Sequence, residues 1–385
     1  MPEAVVLAAA RTPVGKRGGG LSGVHAVDLA AHALGAALER SGLEPDAVDD
    51  VVLGCVSQVG EQSWNIARNA VLAAGWPETI PGTTLDRQCG SGQQAISSAA
   101  AAVMAGHADV VVAGGVESMT RVPMGSNVGT GAGEPYGPAV RERYGDRVDA
   151  AAAVPFNQGV AAELVAERYG VSREAMDAFA LTSHERAAAA ADKGVFASEI
   201  APLAGVVADE GIRRDTSMEK LAGLKPVFRA DGSVTAGSSS QISDGAAALV
   251  ITTDAHARRL GVRPMARIAA ATTVGSDPVM MLDAPIPATA RILRRAGLDL
   301  DEIDVFEVNE AFASIPLAWL AETGADEERL NPRGGAIALG HPLGASGARL
   351  ATTMLHYMRD VGARRGLQTM CEGGGMANAT VFELL

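Results

Sequence analysis

The 385-residue chain is longer than one ordinary hydrophobic core, so two or three domains are expected. Its 48% apolar content with only 4% aromatic residues, beside 45 glycines, fits an Ala/Val/Gly-rich α/β fold and excludes a disordered or fibrous chain. A formal net charge of -13 argues against general nucleic-acid binding but leaves room for a local basic pocket that takes an anionic ligand.

The run Ala4-Val5-Val6-Leu7-Ala8-Ala9-Ala10 reads as a buried strand, followed by a turn at Arg11-Thr12-Pro13-Val14-Gly15. Gly15-Lys16-Arg17-Gly18-Gly19-Gly20 lacks the Gly-Lys-Ser/Thr ending of a phosphate loop and is read as a flexible turn. Apolar residues at helical spacing (Leu29, Ala33, Leu34, Ala37, Leu38) predict a helix over 28–41 that stops at Gly42, with a strand at 51–53. In Asp86-Arg87-Gln88-Cys89-Gly90-Ser91-Gly92 a cysteine stands where a strand-and-loop passes into an Ala-rich helix over 91–104. Glycines 90 and 92 are expected to let the backbone turn sharply and approach a ligand closely, and the helix N-terminus to lower the thiol pKa from roughly 8.5. The plainer alternative is a small buried hydrophobe. A buried strand at 109–115 follows. Residues 117–244 then change character: a Gly- and Pro-rich loop over 124–149, helices over 157–168 and 173–193, and a polar loop at 237–245 leading into a strand at 246–252.

The second half repeats the first. Arg291–Leu298 and Ile303–Phe306 match 38–43 and 48–51 at a constant offset (297 − 42 = 255), and the same offset carries Cys89-Gly90-Ser91-Gly92 onto Gly344-Ala345-Ser346-Gly347. The segments 266–275 and 367–375 echo 4–15 and 109–115. This pattern predicts an N-terminal domain at 1–116 completed by 245–262, an inserted loop domain at 117–244, and a C-terminal domain at 263–385, with one cleft between the two related halves.

Unusual polar chemistry gathers in four segments: Cys89; Asn309-Glu310-Ala311-Phe312; Gly340-His341-Pro342-Leu343-Gly344-Ala345-Ser346-Gly347; and Cys371-Glu372-Gly373-Gly374-Gly375. All fall at strand ends or helix starts, where doubly wound folds place ligand sites. A cysteine with a histidine is the minimum for covalent acyl chemistry. Cys371 can be core filler or an acid/base beside backbone oxyanion donors, and Asn309 a turn cap or a water-orienting group. Cys55, Cys89 and Cys371 form no disulfide framework or paired metal motif, and seven histidines show no ligand spacing, so no metal is expected. The apolar start is too short for a signal-peptide core, and no uncharged run reaches the ~18 residues of a bilayer span. A soluble cytoplasmic protein is the expectation.

Taken in this order, the four segments resemble those of the thiolase family across essentially the whole chain. The resemblance implies a duplicated α/β fold in five αβαβα layers, an inserted loop domain over the active site, and homodimers or homotetramers. By position it implies that Cys89 is the nucleophile, that His341 activates it with a water held on Asn309, and that Cys371 is the acid/base. Backbone N–H groups of Cys89 and Gly373 would form an oxyanion site. Ser240 matches a position that contacts the pantetheine arm of coenzyme A, and Arg213 one beside its adenine. Coenzyme A is thus expected as co-substrate, with no tightly bound cofactor and an acyl-CoA as the small-molecule partner. Asp86-Arg87-Gln88-Cys89, Asn157-Gln158-Gly159 and Cys371-Glu372 depart from the common biosynthetic pattern and look more like degradative 3-ketoacyl-CoA thiolases, similar to actinobacterial members that act in fatty-acid and sterol-ring catabolism. The alternatives are an acetyl-CoA acetyltransferase, a 3-ketoacyl synthase of the same fold, which needs no Cys371, and a silent acyl-CoA-binding relative.

Overall fold

The computed structural model describes residues 2–128, 131, 133–148 and 154–385. Its first half runs β1 (Ala4–Arg11), the two-residue β2 (Gly15–Lys16), α1 (Ala26–Ser41), β3 (Asp50–Gly54), α2 (Ile66–Ala73), β4 (Gly82–Leu85), α3 (Ser91–Ala105) and β5 (Val110–Ser118). The insertion contributes α4 (Pro138–Tyr144), α5 (Gln158–Tyr169), α6 (Arg173–Asp192) and α7 (Met218–Ala222). The chain returns through β6 (Ser243–Thr253) and α8 (Asp254–Leu260). The second half is β7 (Ala266–Gly275), α9 (Pro285–Ala296), β8 (Val305–Val308), α10 (Ser314–Thr323), α11 (Ala336–Leu339), α12 (Leu343–Val361), β9 (Arg365–Glu372) and β10 (Met376–Leu384).

The strands lie in the order β4-β3-β5-β6-β1-β7-β10-β9-β8, with β2 paired to β6. Within the first half β4, β3 and β5 are parallel, and β6 runs antiparallel between β5 and β1. The second half repeats this with β8 and β9 parallel and β10 antiparallel between β9 and β7. What would be the counterpart of β4 is a single bridge from Phe306 to Leu330. The halves meet edge to edge where Val5 and Val6 pair with Arg267 and Ala266.

Alternation along each strand sends side chains to opposite faces, and both faces are covered. Val5 and Leu7 pack with Leu29, Leu34 and Leu38 of α1 and Ile66 of α2 on the outside of the first half. Ala4 and Val6 face inward, where Ile96 and Val103 of α3 and Met354 and Leu355 of α12 fill a shared core with Ile268, Val305 and Phe382 of the second half. Phe306 and Leu367 pack outward on Ile292 of α9 and Trp319 of α10, with Val165 and Met176 of the insertion joining them. The result is five layers, helices–sheet–helices–sheet–helices, with α3 and α12 in the middle.

Two expectations change. The stretch read as a loop over 124–149 contains α4, whose Tyr144, with Tyr136 just before the helix, sets its ring edge-on to Phe156; residues 129, 130, 132 and 149 of that stretch lie outside the described residues. The glycine-rich turn after β1 is held rather than loose. The Glu210 carboxylate accepts from the Lys16 and Gly20 N–H groups at 3.2 and 3.0 Å, so the loop cradles an internal anion.

Candidate active site

Cys89 sits in the turn between β4 and α3, and that turn is locked by Ser91. The Ser91 hydroxyl donates to the Gln88 carbonyl at 2.6 Å and accepts from the Arg87 N–H at 2.8 Å. The sharp bend is made by Gln88, at φ 49°, and not by the glycines, neither of which has positive φ. The glycines serve close approach instead. A Cβ on Gly90 would overlap the Glu372 carboxyl, and one on Gly92 would sit 2.7 Å from the Gly344 carbonyl. Across this contact a Cβ on Gly347 would overlap the Gln93 N–H, so α3 and α12 touch backbone to backbone.

That contact assembles the site. Cys89, 3% exposed, packs among Val56, Met119, Leu343 and Met370, which brings the His341 turn and the Cys371 strand to it. Glu117 ties the layers together: its carboxylate accepts from the N–H groups of Val56, Ser57 and Gly344 at 2.9, 3.0 and 2.9 Å and from the Gln62 amide at 2.7 Å.

His341 is buried, with Nδ1 2.6 Å from the Ser346 hydroxyl and Nε2 3.4 Å from the Asn309 amide nitrogen. Ser346 donates its one proton to the Pro342 carbonyl at 2.8 Å. It therefore accepts from His341, which puts the ring hydrogen on Nδ1 and leaves Nε2 with a lone pair. Burial, reinforced by the positive charge of Arg349, pushes the imidazole down to about 3, so it stands neutral as a base. No hydrogen bond joins His341 to Cys89 among the described residues.

The thiol itself departs from expectation. Burial pushes Cys89 up to about 12, with the Glu372 charge acting in the same direction. The Gln158 amide and the N–H groups of Cys89 and Gly373, all turned toward the sulfur, pull it down without prevailing. Desolvation outweighs the helix end, so deprotonation needs a base. Cys371, one residue from the end of β9, is raised well above the ordinary thiol value by burial and then by the charge of Cys89. Glu372 is fully buried with neither oxygen in a well-aligned hydrogen bond among the described residues, and burial raises it to about 8 against the pull of Arg87.

The chain matches the family models described as thiolase, N-terminal domain, over residues 4–255 and thiolase, C-terminal domain, over residues 262–384. The chain belongs to the thiolase family. It is 49% identical to a steroid 3-ketoacyl-CoA thiolase of Mycobacterium tuberculosis, covering 100% of this chain and 95% of that protein. It is 45% identical to a beta-ketoadipyl-CoA thiolase of Escherichia coli over the full length of both. Among solved structures, the acetyl-CoA acetyltransferase of Bacillus anthracis superimposes with a TM-score of 0.90 at 39% identity, covering 100% of this chain and 99% of that one.

In this thiolase, then, Cys89, Cys371 and the Gly373 N–H converge, and Asn309 joins His341. Ser240 stands on the neighbouring polar loop, half-buried, its N–H donating to the Ala311 carbonyl at 2.9 Å. Arg213 is exposed on the insertion, with its N–H on His184 Nδ1 at 3.1 Å, and among the described residues it has no hydrogen bond or ion pair with the other candidates. Among the described residues no cluster of His, Cys, Asp or Glu could hold a metal ion, and no helix is long and apolar enough to cross a membrane. Sequence reasoning assigned no role to Ser346, Glu117 or Gln158 of the thiolase. For Ser346 a signal was present, since a serine four residues after Pro342 lies over the preceding turn of α12.

Proposed function

We infer that the chain is a 3-ketoacyl-CoA thiolase that carries its acyl group on Cys89. The observation that supports this most directly is the meeting of two buried thiols, one facing two backbone N–H groups, beside a histidine held as a neutral base. In this reading the Cys89 thiolate, formed by proton loss toward His341, attacks the keto carbon of a 3-ketoacyl-CoA. The resulting oxyanion collapses, the bond between C2 and C3 breaks, and the departing acetyl-CoA enolate takes a proton from Cys371. The Cys371 thiolate left behind takes the proton of a second coenzyme A thiol, whose sulfur attacks the acyl-Cys89 thioester and releases the shortened acyl-CoA, and the departing Cys89 thiolate recovers its proton from His341. Negative charge develops first on the former keto oxygen and then on the enolate, so two sets of donors are needed. The N–H groups of Cys89 and Gly373 supply one, and Asn309 with His341 the other; a single preformed donor contributes ~3–4 kcal/mol in such sites.

Coenzyme A is the co-substrate, with no tightly held cofactor, its pantetheine arm passing Ser240 and its adenine end near Arg213. The working direction is degradative, in the cytoplasm, as a homodimer or homotetramer. The names of the relatives that share 49% and 45% of their residues with this chain support the direction. The likeness to an acetyl-CoA acetyltransferase supports a second reading, condensation of two acetyl-CoA. A side-by-side assay with free coenzyme A separates them: faster thiolysis of a medium-chain 3-ketoacyl-CoA than of acetoacetyl-CoA is expected. Preference for acetoacetyl-CoA with measurable condensation would establish the second reading.

A further inference from the structure

We propose that the Gln158 carboxamide is a catalytic donor of this chain, its Nε2–H hydrogen bonding the Cys89 sulfur while that sulfur carries negative charge. The inference rests on the reading of Cys89 as nucleophile. Nε2 lies 3.9 Å from Sγ, within reach of an N–H···S contact. It is the only side-chain donor to that sulfur among the described residues; the packing around it is otherwise Val56, Met119, Leu343 and Met370.

The amide is held in place by its element. Gln158 is the first residue of α5, whose N-terminus is closed by the Asn157 side chain accepting from the Gly159 and Val160 N–H groups at 2.9 and 3.1 Å. Gly159 lies so tightly under Phe228 that a Cβ there would overlap the ring, and Phe228 in turn meets Phe312 edge-on at 5.5 Å. Gln158 also borders the backbone donor it supplements, since a Cβ built on Gly373 would fall 3.1 Å from its Nε2 and 3.0 Å from Gln88 Oε1.

The charge balance explains why a third donor matters. The ionisable groups around Cys89 are Cys371 and Glu372 on β9, Asp86 and Arg87 on its own loop, and His341 with Arg349 from the second half. Among the described residues no cation pairs with the sulfur, and Glu372 opposes its charge once ionised, above about 8. Neutral N–H dipoles therefore carry the stabilisation, and an amide side chain adds to them without adding a charge to a closed site.

The test is iodoacetamide labelling of Cys89 across a pH series, read by mass on the Cys89 peptide, in the wild type, Q158M and Q158E. Q158M should move the labelling profile to higher pH by about half a unit to one unit, making labelling below the midpoint roughly three to ten times slower. Q158E, of the same size but anionic, should move it further, and kcat/KM for thiolysis should fall with both shifts. A Q158M profile that superimposes on the wild type overturns the proposal; if Q158M folds poorly, an unmoved Q158E profile does so. The underlying reading fails separately, if wild-type enzyme fully labelled at Cys89 still performs thiolysis.

Discussion

Replacing Ser346 with alanine tests whether the histidine is set as a base by its second nitrogen. Ser346 is fully buried and makes two contacts, accepting from His341 Nδ1 at 2.6 Å and donating to the Pro342 carbonyl at 2.8 Å. The Pro342 carbonyl keeps two other donors, the N–H groups of Ala345 and residue 346 at 3.0 and 2.9 Å, so alanine leaves it satisfied. The loss therefore falls on the imidazole alone. A buried N–H without an acceptor costs about 1–3 kcal/mol. The ring can escape by moving its hydrogen to Nε2, but the lone pair that would take the Cys89 proton is then gone. Either outcome raises the barrier to thiolate formation by about that amount, and each 1.36 kcal/mol is about tenfold in rate. Ser346→Ala should lower kcat for thiolysis by about 10- to 100-fold, leave KM for coenzyme A nearly unchanged, and slow labelling of Cys89 at neutral pH. A variant whose kcat stays within about twofold of wild type would refute the tautomer argument, because the 2.6 Å contact would then have no bearing on the base.

Three further outcomes follow from the same geometry. Cys371→Ala should abolish thiolysis while Cys89 still takes up an acyl group from acyl-CoA, seen as a mass increase on its peptide; full turnover in that variant would remove Cys371 from the reaction. Gly347→Ala forces a methyl onto the Gln93 backbone between α3 and α12, an overpacking expected to cost about 1–3 kcal/mol, and an unchanged thermal midpoint would contradict the close contact. Glu372, raised to about 8, keeps a proton that the unfolded chain releases near the ordinary carboxylate value. Its contribution to stability is thus full below that value and is lost as pH rises through about 8. Thermal midpoints measured from pH 6 to 9 should fall in the wild type and fall less in Glu372→Gln; parallel curves would show that this carboxyl is not the group responsible.

Much of this molecule could be read before folding because its signals are local. Apolar runs such as 4–10 and 246–252 are strands buried on both faces, and Gly42 stops α1 by its left-handed backbone at φ 73°. The four polar segments stood out because each is a short motif at an element's end, whereas Ser240 and Arg213 were offered only by resemblance. What could not be read depends on approach in space. The direction of the Cys89 shift is set by how deeply the packed layers bury it, which no seven-residue window contains. The bend at Gln88 was hidden by the neighbouring glycines, whose small size answers to Glu372 and Gly344, residues more than 250 positions away. Gln158 looked like a local oddity until α5 was seen to aim it at the sulfur.

The duplication is not a perfect mirror, and the site lives in the difference. At the offset that relates the halves (372 − 117 = 255), Glu117 and Glu372 are counterparts, as are Gly344 and Cys89. In the second half the helix is wound from Leu343, and the Gly344 N–H is consumed by Glu117. In the first half the corresponding turn is unwound at Gln88, the helix starts only at Ser91, and the Cys89 N–H is not given to Glu372. One copy thus closes the arrangement into scaffold, and the other leaves the same backbone group free of that carboxylate, where the proposed mechanism calls for a donor. Broken symmetry of this kind lets a twofold framework, in which every strut is duplicated, present a single reaction centre without any dedicated catalytic domain.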